Sequence, residues 1–149
     1  MGPDHIVIAV TGMQRAVGPD HGTVLVPRGY GVRANEVSKA IKWIDGRIET
    51  AVCASSAPFM DHYPQWEETV LQECFESVDY LSMHHYHSAP PGDIKALLGG
   101  AAYYEDFINT EVALCDLVAA KCRSPKRLML SIDEYGAMIR PNTSLARTP

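Results

Sequence analysis

Two adjacent carboxylates, Asp133 and Glu134, follow directly on the apolar run Leu128-Met129-Leu130-Ser131-Ile132. A strand that is buried along its length and acidic at its end brings acid groups to the sheet edge where α/β proteins bind substrates. The same design recurs upstream, where Val78-Asp79-Tyr80-Leu81-Ser82-Met83 runs into His84-His85-Tyr86-His87. Earlier still, Ile48-Glu49-Thr50-Ala51-Val52-Cys53 ends in Ala54-Ser55-Ser56. A polar strand terminus facing water is the commoner reason for an acidic strand end. Three such ends in one chain point instead to a shared site.

The segments between these strands have helical periodicity. Val37, Ala40, Ile41 and Ile44 fall at i, i+3, i+4 and i+7 and set the expected inward face of a helix that Asp45-Gly46 stops. Trp66, Val70 and Cys74 repeat every four residues in 65–75 after the breaker Pro64, and Ile108, Val112, Cys115 and Ala119 follow the same spacing along 102–122. The order is helix, strand, helix, strand, helix, strand. Crossovers this long belong to parallel strands, since antiparallel neighbours need only a tight turn. All C-terminal ends then lie on one face, which brings Ser55, His84, Tyr86 and Glu134 together. The loops at Ala57-Pro58, Tyr63-Pro64 and Ala89-Pro90-Pro91-Gly92 overhang that face.

Composition bounds the partners. A chain of 149 residues, 46% hydrophobic and 21% charged, fits one globular core. A net charge of −5 with no basic cluster argues against nucleic acid. The apolar run Ile6–Val10 is too short for a membrane span or a secretory signal, which fits a cytoplasmic protein, although a lost N-terminus would have taken any signal with it. Cys53, Cys74, Cys115 and Cys122 form no Cys-x-x-Cys pair and are expected to be buried thiols. No cofactor is implied. Residues 1–28 stand apart as an atypical segment, with Ile6–Val10 and Thr23–Val26 able to form a hairpin or one extra strand.

From about Gly29 to Arg140 the chain resembles the second half of the catalytic barrel of glycoside hydrolase family 51, the α-L-arabinofuranosidases. Four pieces in family order carry the resemblance: Ala51-Val52-Cys53-Ala54-Ser55-Ser56, Trp66-Glu67-Glu68-Thr69-Val70-Leu71, Val78 to Tyr86, and Leu130-Ser131-Ile132-Asp133-Glu134-Tyr135. The resemblance implies a partial (β/α)8 barrel of about three parallel strand–helix units over residues 29–149, acting on an arabinose-containing glycan. Glu134 takes the place of the catalytic nucleophile at the end of the seventh strand. In a retaining mechanism that carboxylate attacks the anomeric carbon while a second carboxylic acid protonates the leaving oxygen and then activates water. His84 and Tyr86 match the family's His-x-Tyr, and the phenol is placed to hydrogen-bond the nucleophile and hold it ionised. Ser55 and Tyr135 complete the expected substrate contacts. Asp133 is expected to point away from Glu134 in a regular strand and to serve structure.

Two departures qualify the match. Tyr135-Gly136-Ala137-Met138 stands where the family has Trp-Asn and a further aromatic. The acid/base Asn-Glu pair of the fourth strand is missing from residues 1–28, and Asn35-Glu36 lies inside an expected helix. The codons of Arg15-Ala16-Val17-Gly18 can be chosen so that a one-base shift reads Glu-Pro-Trp-Gly, as an out-of-frame segment would. Pro141-Asn142-Thr143-Ser144 leaves no room for an eighth strand, and three strands with free edges favour association into a homo-oligomer. The expectation is a fragment that does not hydrolyse glycosides alone. Two other readings stand beside it. One is a non-catalytic carbohydrate-binding remnant. The other is a metal-dependent hydrolase that draws zinc ligands from His84, His85, His87, Asp61 and His62, against which side chains alternating along one strand do not converge on one ion.

Overall fold

The computed structural model describes residues 6–10 and 27–139. Strand β1 (Val7–Val10), helix α1 (Pro27–Ile44), β2 (Glu49–Cys53), α2 (Gln65–Cys74), β3 (Tyr80–Ala89), α3 (Ile94–Cys122) and β4 (Met129–Ile139) follow one another along the chain. The strands form one sheet in the order β1-β2-β3-β4, and every pairing is parallel. This is half of an eight-stranded β/α barrel, with four strands where three were expected. The extra strand is the Ile6–Val10 run, which lies parallel beside β2 with Val10 opposite Val52. The Thr23–Val26 run, the Arg15–Gly18 stretch and Pro141–Ser144 lie outside the described residues.

Period-two alternation divides the strands between two faces. Val52, Ala54, Leu81 and Met83 point to the helix layer and meet Trp66, Val70, Leu71, Phe75, Phe107 and Val118 in one buried cluster. Burying each such aliphatic or aromatic side chain stabilises by roughly 1.5–3 kcal/mol before entropy is counted. Helix α2 buries Trp66, Val70 and Cys74 as their spacing requires, and the Trp66 indole donates to the Cys53 carbonyl.

Helix α1 turns a different face inward from the one expected. Tyr30, Gly31, Ala34 and Ser38 are buried, whereas Val37 is half exposed and Ile44 almost wholly so. Close packing decides this: a Cβ on Gly31 would lie 2.7 Å from the Val70 carbonyl oxygen, so the small-residue face lets the α1 and α2 backbones approach. Helix α3 starts two turns before residue 102, where the Asp93 side chain caps the Ala96 N–H at 2.9 Å. Its buried stripe runs through Phe107, Glu111, Leu114, Cys115 and Val118, leaving the expected Val112 exposed. Cys74 and Cys115 are buried thiols as expected, Cys53 is half-buried, and Cys122, the last residue of α3, is exposed.

The N-terminal strand ends are tied together by charge. Asp79 accepts the Thr50 N–H at 2.8 Å and pairs with Lys42 at 2.6 Å, and the Lys126 ammonium donates to the Phe75, Glu76 and Val78 carbonyls. No helix among the described residues is long and apolar enough to cross a membrane.

Candidate active site

The C-terminal half of β3 and the whole of β4 position the site. Their register runs Leu81 to Leu130, Ser82 to Ser131 and Met83 to Ile132, then skips so that His84 faces Glu134. Asp133 is the extra residue of a β-bulge. Such an insertion bends a strand and re-aims its side chains, and here it leaves two consecutive carboxylates in contact with the same imidazole. The regular strand that would have sent Asp133 away from Glu134 is interrupted at this residue.

The Tyr86 hydroxyl donates to Glu134 Oε2 at 2.8 Å, and His84 Nδ1 lies 3.5 Å from the same oxygen. On the other side of the ring, His84 Nε2 lies 3.4 Å from Asp133 Oδ1. The Ser82 hydroxyl reaches both Asp133 oxygens, at 2.8 and 2.7 Å. Ser82, His84 and Tyr86 are spaced two apart on β3, which is why they share a face. The Glu134 side chain is 55% exposed and that of His84 28%, so the cluster opens to solvent on the sheet face opposite the helices. Hydrogen bonding to the Glu134 carboxylate pushes the Tyr86 phenol above its ordinary pKa, which keeps the phenol a donor at neutral pH.

Ser55 and Tyr135 do not join this cluster. Ser55 is fully buried in the loop after β2, with all of β3 between that strand and β4, and its N–H donates to Glu67 Oε1 at 2.6 Å. Tyr135 pairs with His85 and takes the face opposite Glu134, as alternation along β4 requires. There it borders a cavity of about 470 Å³ between the sheet and α3, lined by His85, His87, Leu97, Tyr104 and Ile132 among others.

The histidine cluster is divided in the same way. His85 stacks on Tyr104 with ring centroids 4.2 Å apart, and His87 Nε2 lies 2.8 Å from the Ala96 carbonyl oxygen, both on the α3 side. His62 packs against Trp66. The ligand set that the zinc reading requires is therefore not assembled, because alternation sends His84 one way and His85 and His87 the other. Among the described residues no group of three or more His, Cys, Asp or Glu side chains is placed to hold a metal ion.

A buried pair of acids escaped the sequence reading. Glu67 on α2 and Glu111 on α3 are both fully buried, and Glu67 Oε2 and both Glu111 oxygens have no hydrogen-bond partner among the described residues. Burial, and next the nearby Glu67 charge, pushes Glu111 up to about 8, and the Tyr63 hydroxyl beside them is pushed up to about 12 by its own burial and then by Glu111. The signal was available: Glu111 stands midway between Phe107 and Cys115 in a four-residue repeat, inside an apolar stripe.

Curated relatives share this segment. An intracellular exo-α-(1→5)-L-arabinofuranosidase of Acetivibrio thermocellus is 40% identical over 113 residues, 76% of this chain and 22% of the relative. The protein of the same name from Streptomyces lividans is 38% identical over 76% of the chain and 17% of its own length, and one from Bacillus subtilis is 37% identical over 76% and 23%. Among solved structures, a family 51 α-L-arabinofuranosidase of Bifidobacterium longum superposes with a TM-score of 0.68 at 27% identity, over 75% of this chain and 23% of that one. The chain is similar to a segment of the family 51 α-L-arabinofuranosidase barrel. The α-L-arabinofuranosidase of Thermotoga maritima, solved with arabinose, shares the fold of the family 51-like segment at a TM-score of 0.64 and 23% identity, over 78% of this chain and 22% of that one. No protein-family model matches. The family 51-like segment spans about a fifth of the length of the curated relatives it matches.

Proposed function

We propose that this chain carries the nucleophile side of a retaining α-L-arabinofuranosidase site, which releases terminal arabinofuranose from arabinose-containing oligo- or polysaccharides. The observation that carries the proposal is the Tyr86 hydroxyl at 2.8 Å from Glu134 Oε2, midway along β4 in the stretch shared with named arabinofuranosidases. Glu134 is the nucleophile. Its carboxylate attacks the anomeric carbon, and the glycosyl ester that forms is released by water once a second carboxyl group has served as acid and then as base. Tyr86 and His84 fix the nucleophile and border the sugar. The two carboxyl groups of a retaining site stand about 5–5.5 Å apart. Glu36, in the chain's Asn-Glu pair, sits exposed within α1 and not at a strand end. By the names of its relatives, the reading extends to an intracellular enzyme that releases α-(1→5)-linked L-arabinofuranose from chain ends.

A second reading follows from the position of Glu36: the segment binds an arabinoside on the Glu134 face without turning it over. The test is hydrolysis of an aryl α-L-arabinofuranoside by the chain and by Glu134→Ala, together with arabinose binding measured calorimetrically. Turnover that disappears in the variant supports the nucleophile role, and turnover that survives it refutes that role. Binding without turnover in the unaltered chain supports the second reading.

A further inference from the structure

We propose that Asp133 is a positioning residue for Glu134 that acts through His84. The proposal rests on the nucleophile reading of Glu134 for its catalytic meaning. The clamp itself is geometric.

Counted on from Ile132, which lines the helix-side cavity, regular alternation puts Asp133 on the Ser82 face and would send Glu134 to the helix side. The register skip between Met83 and His84 leaves Asp133 unpaired against Ser82 and His84 and returns Glu134 to the same face, on the other side of the His84 ring. The imidazole then has one carboxylate at each nitrogen: Asp133 Oδ1 3.4 Å from Nε2 and Glu134 Oε2 3.5 Å from Nδ1. Left alone, an imidazole turns about its last side-chain torsion over a broad, roughly two-fold well. A carboxylate held at Nε2 selects one ring plane and directs the other nitrogen at Glu134, in the way a histidine's outer partner orients it at metal and catalytic sites. Ser82 makes that outer carboxylate a fixed point by reaching both of its oxygens.

The consequence falls on one atom. Tyr86 and His84 both approach Oε2 of Glu134, and among the described residues no hydrogen bond or ion pair engages Oε1. One oxygen is held while the other stays available for the anomeric carbon. Partly exposed ion pairs contribute little to stability, so orientation is what the arrangement provides.

The experiment is nuclear magnetic resonance of the whole chain labelled with 15N-histidine, which reads the ring nitrogens of His84, His85 and His87 separately. Asp133→Asn is expected to shift the His84 ring resonances and leave those of His85 and His87, on the other face, in place. Glu134→Gln is expected to shift them too, and the double variant to depart from the sum of the single shifts, because both carboxylates act on one ring. Unmoved His84 resonances in folded Asp133→Asn overturn the proposal. If that variant loses its dispersed His85 and His87 signals, Ser82→Ala decides: it keeps the charge and frees it, so a smaller His84 shift supports the clamp and no shift overturns it. The readout is independent of turnover. A chain with the clamp intact and no arabinofuranoside hydrolysis would refute the glycosidase reading alone, whereas hydrolysis with an indifferent His84 ring would refute the clamp alone.

Discussion

Replacing Glu111 by glutamine tests the buried acids. Glu111 is fully buried and raised to about 8 by burial, and next by Glu67, against an ordinary value of 4.5. A carboxyl whose folded pKa lies above its unfolded one contributes stability that is fully present below the unfolded value. That stability is lost as pH climbs between the two, because the folded state then binds more protons than the unfolded state. The window is therefore about pH 4.5 to 8, with stability falling by up to about 1.4 kcal/mol per pH unit within it. Between pH 5 and 7 the loss is on the order of 2–3 kcal/mol, which lowers the melting temperature of a chain of this size by roughly 4–12 °C. A glutamine side chain cannot ionise, so Glu111→Gln is expected to match the parent near pH 5 and to be more stable by a few kcal/mol near pH 8. The groups facing Glu111 are Glu67 and Tyr63 from the α2 side and Cys115 on its own helix. Taking the difference between parent and variant cancels what other titrating groups do equally in both. The assay is urea unfolding followed by far-ultraviolet circular dichroism at pH 5, 6, 7 and 8. Parallel curves for parent and variant across that range would refute the reasoning.

Two other expectations concern packing and thiol chemistry. Gly31→Ala should destabilise by about 1–3 kcal/mol, because the new methyl meets the Val70 carbonyl oxygen at 2.7 Å and the Glu73 Cβ at 2.9 Å; an unchanged urea midpoint would show that α1 and α2 do not meet this closely. Cys122 should react first with a thiol reagent in the native chain, since burial pushes Cys74 and Cys115 up to about 12 and hides them. Peptide mapping after brief alkylation would expose the error if Cys74 or Cys115 were labelled as fast.

Alternation explains much of what could be read early. The strand–helix order, the burial of Trp66, Val70 and Cys74, and the shared face of His84 and Tyr86 all follow from residue spacing and parallel pairing. The same alternation already implies that Tyr135, next to Glu134, takes the opposite face, and that His85 and His87 part from His84. The inward face of α1 was hidden because hydrophobicity marks Val37 and Ile44 whereas contact chose Gly31, Ala34 and Ser38. A small residue reveals its use only when the backbone it admits, here that of Val70, is known.

The sequence by itself determined that parallel strands joined by helices would carry carboxylate, imidazole and phenol, since those features depend on local periodicity and crossover length. The strands run on past these groups, to Ala89 and Ile139, and present them on a sheet face. Only the tertiary structure decided that Asp133 stands beside Glu134 across the His84 ring, and that Ser55 is drawn to Glu67 instead. A bulge is a mismatch between two strands' hydrogen-bond ladders. It is written in neither strand alone and exists only once β4 is laid against β3.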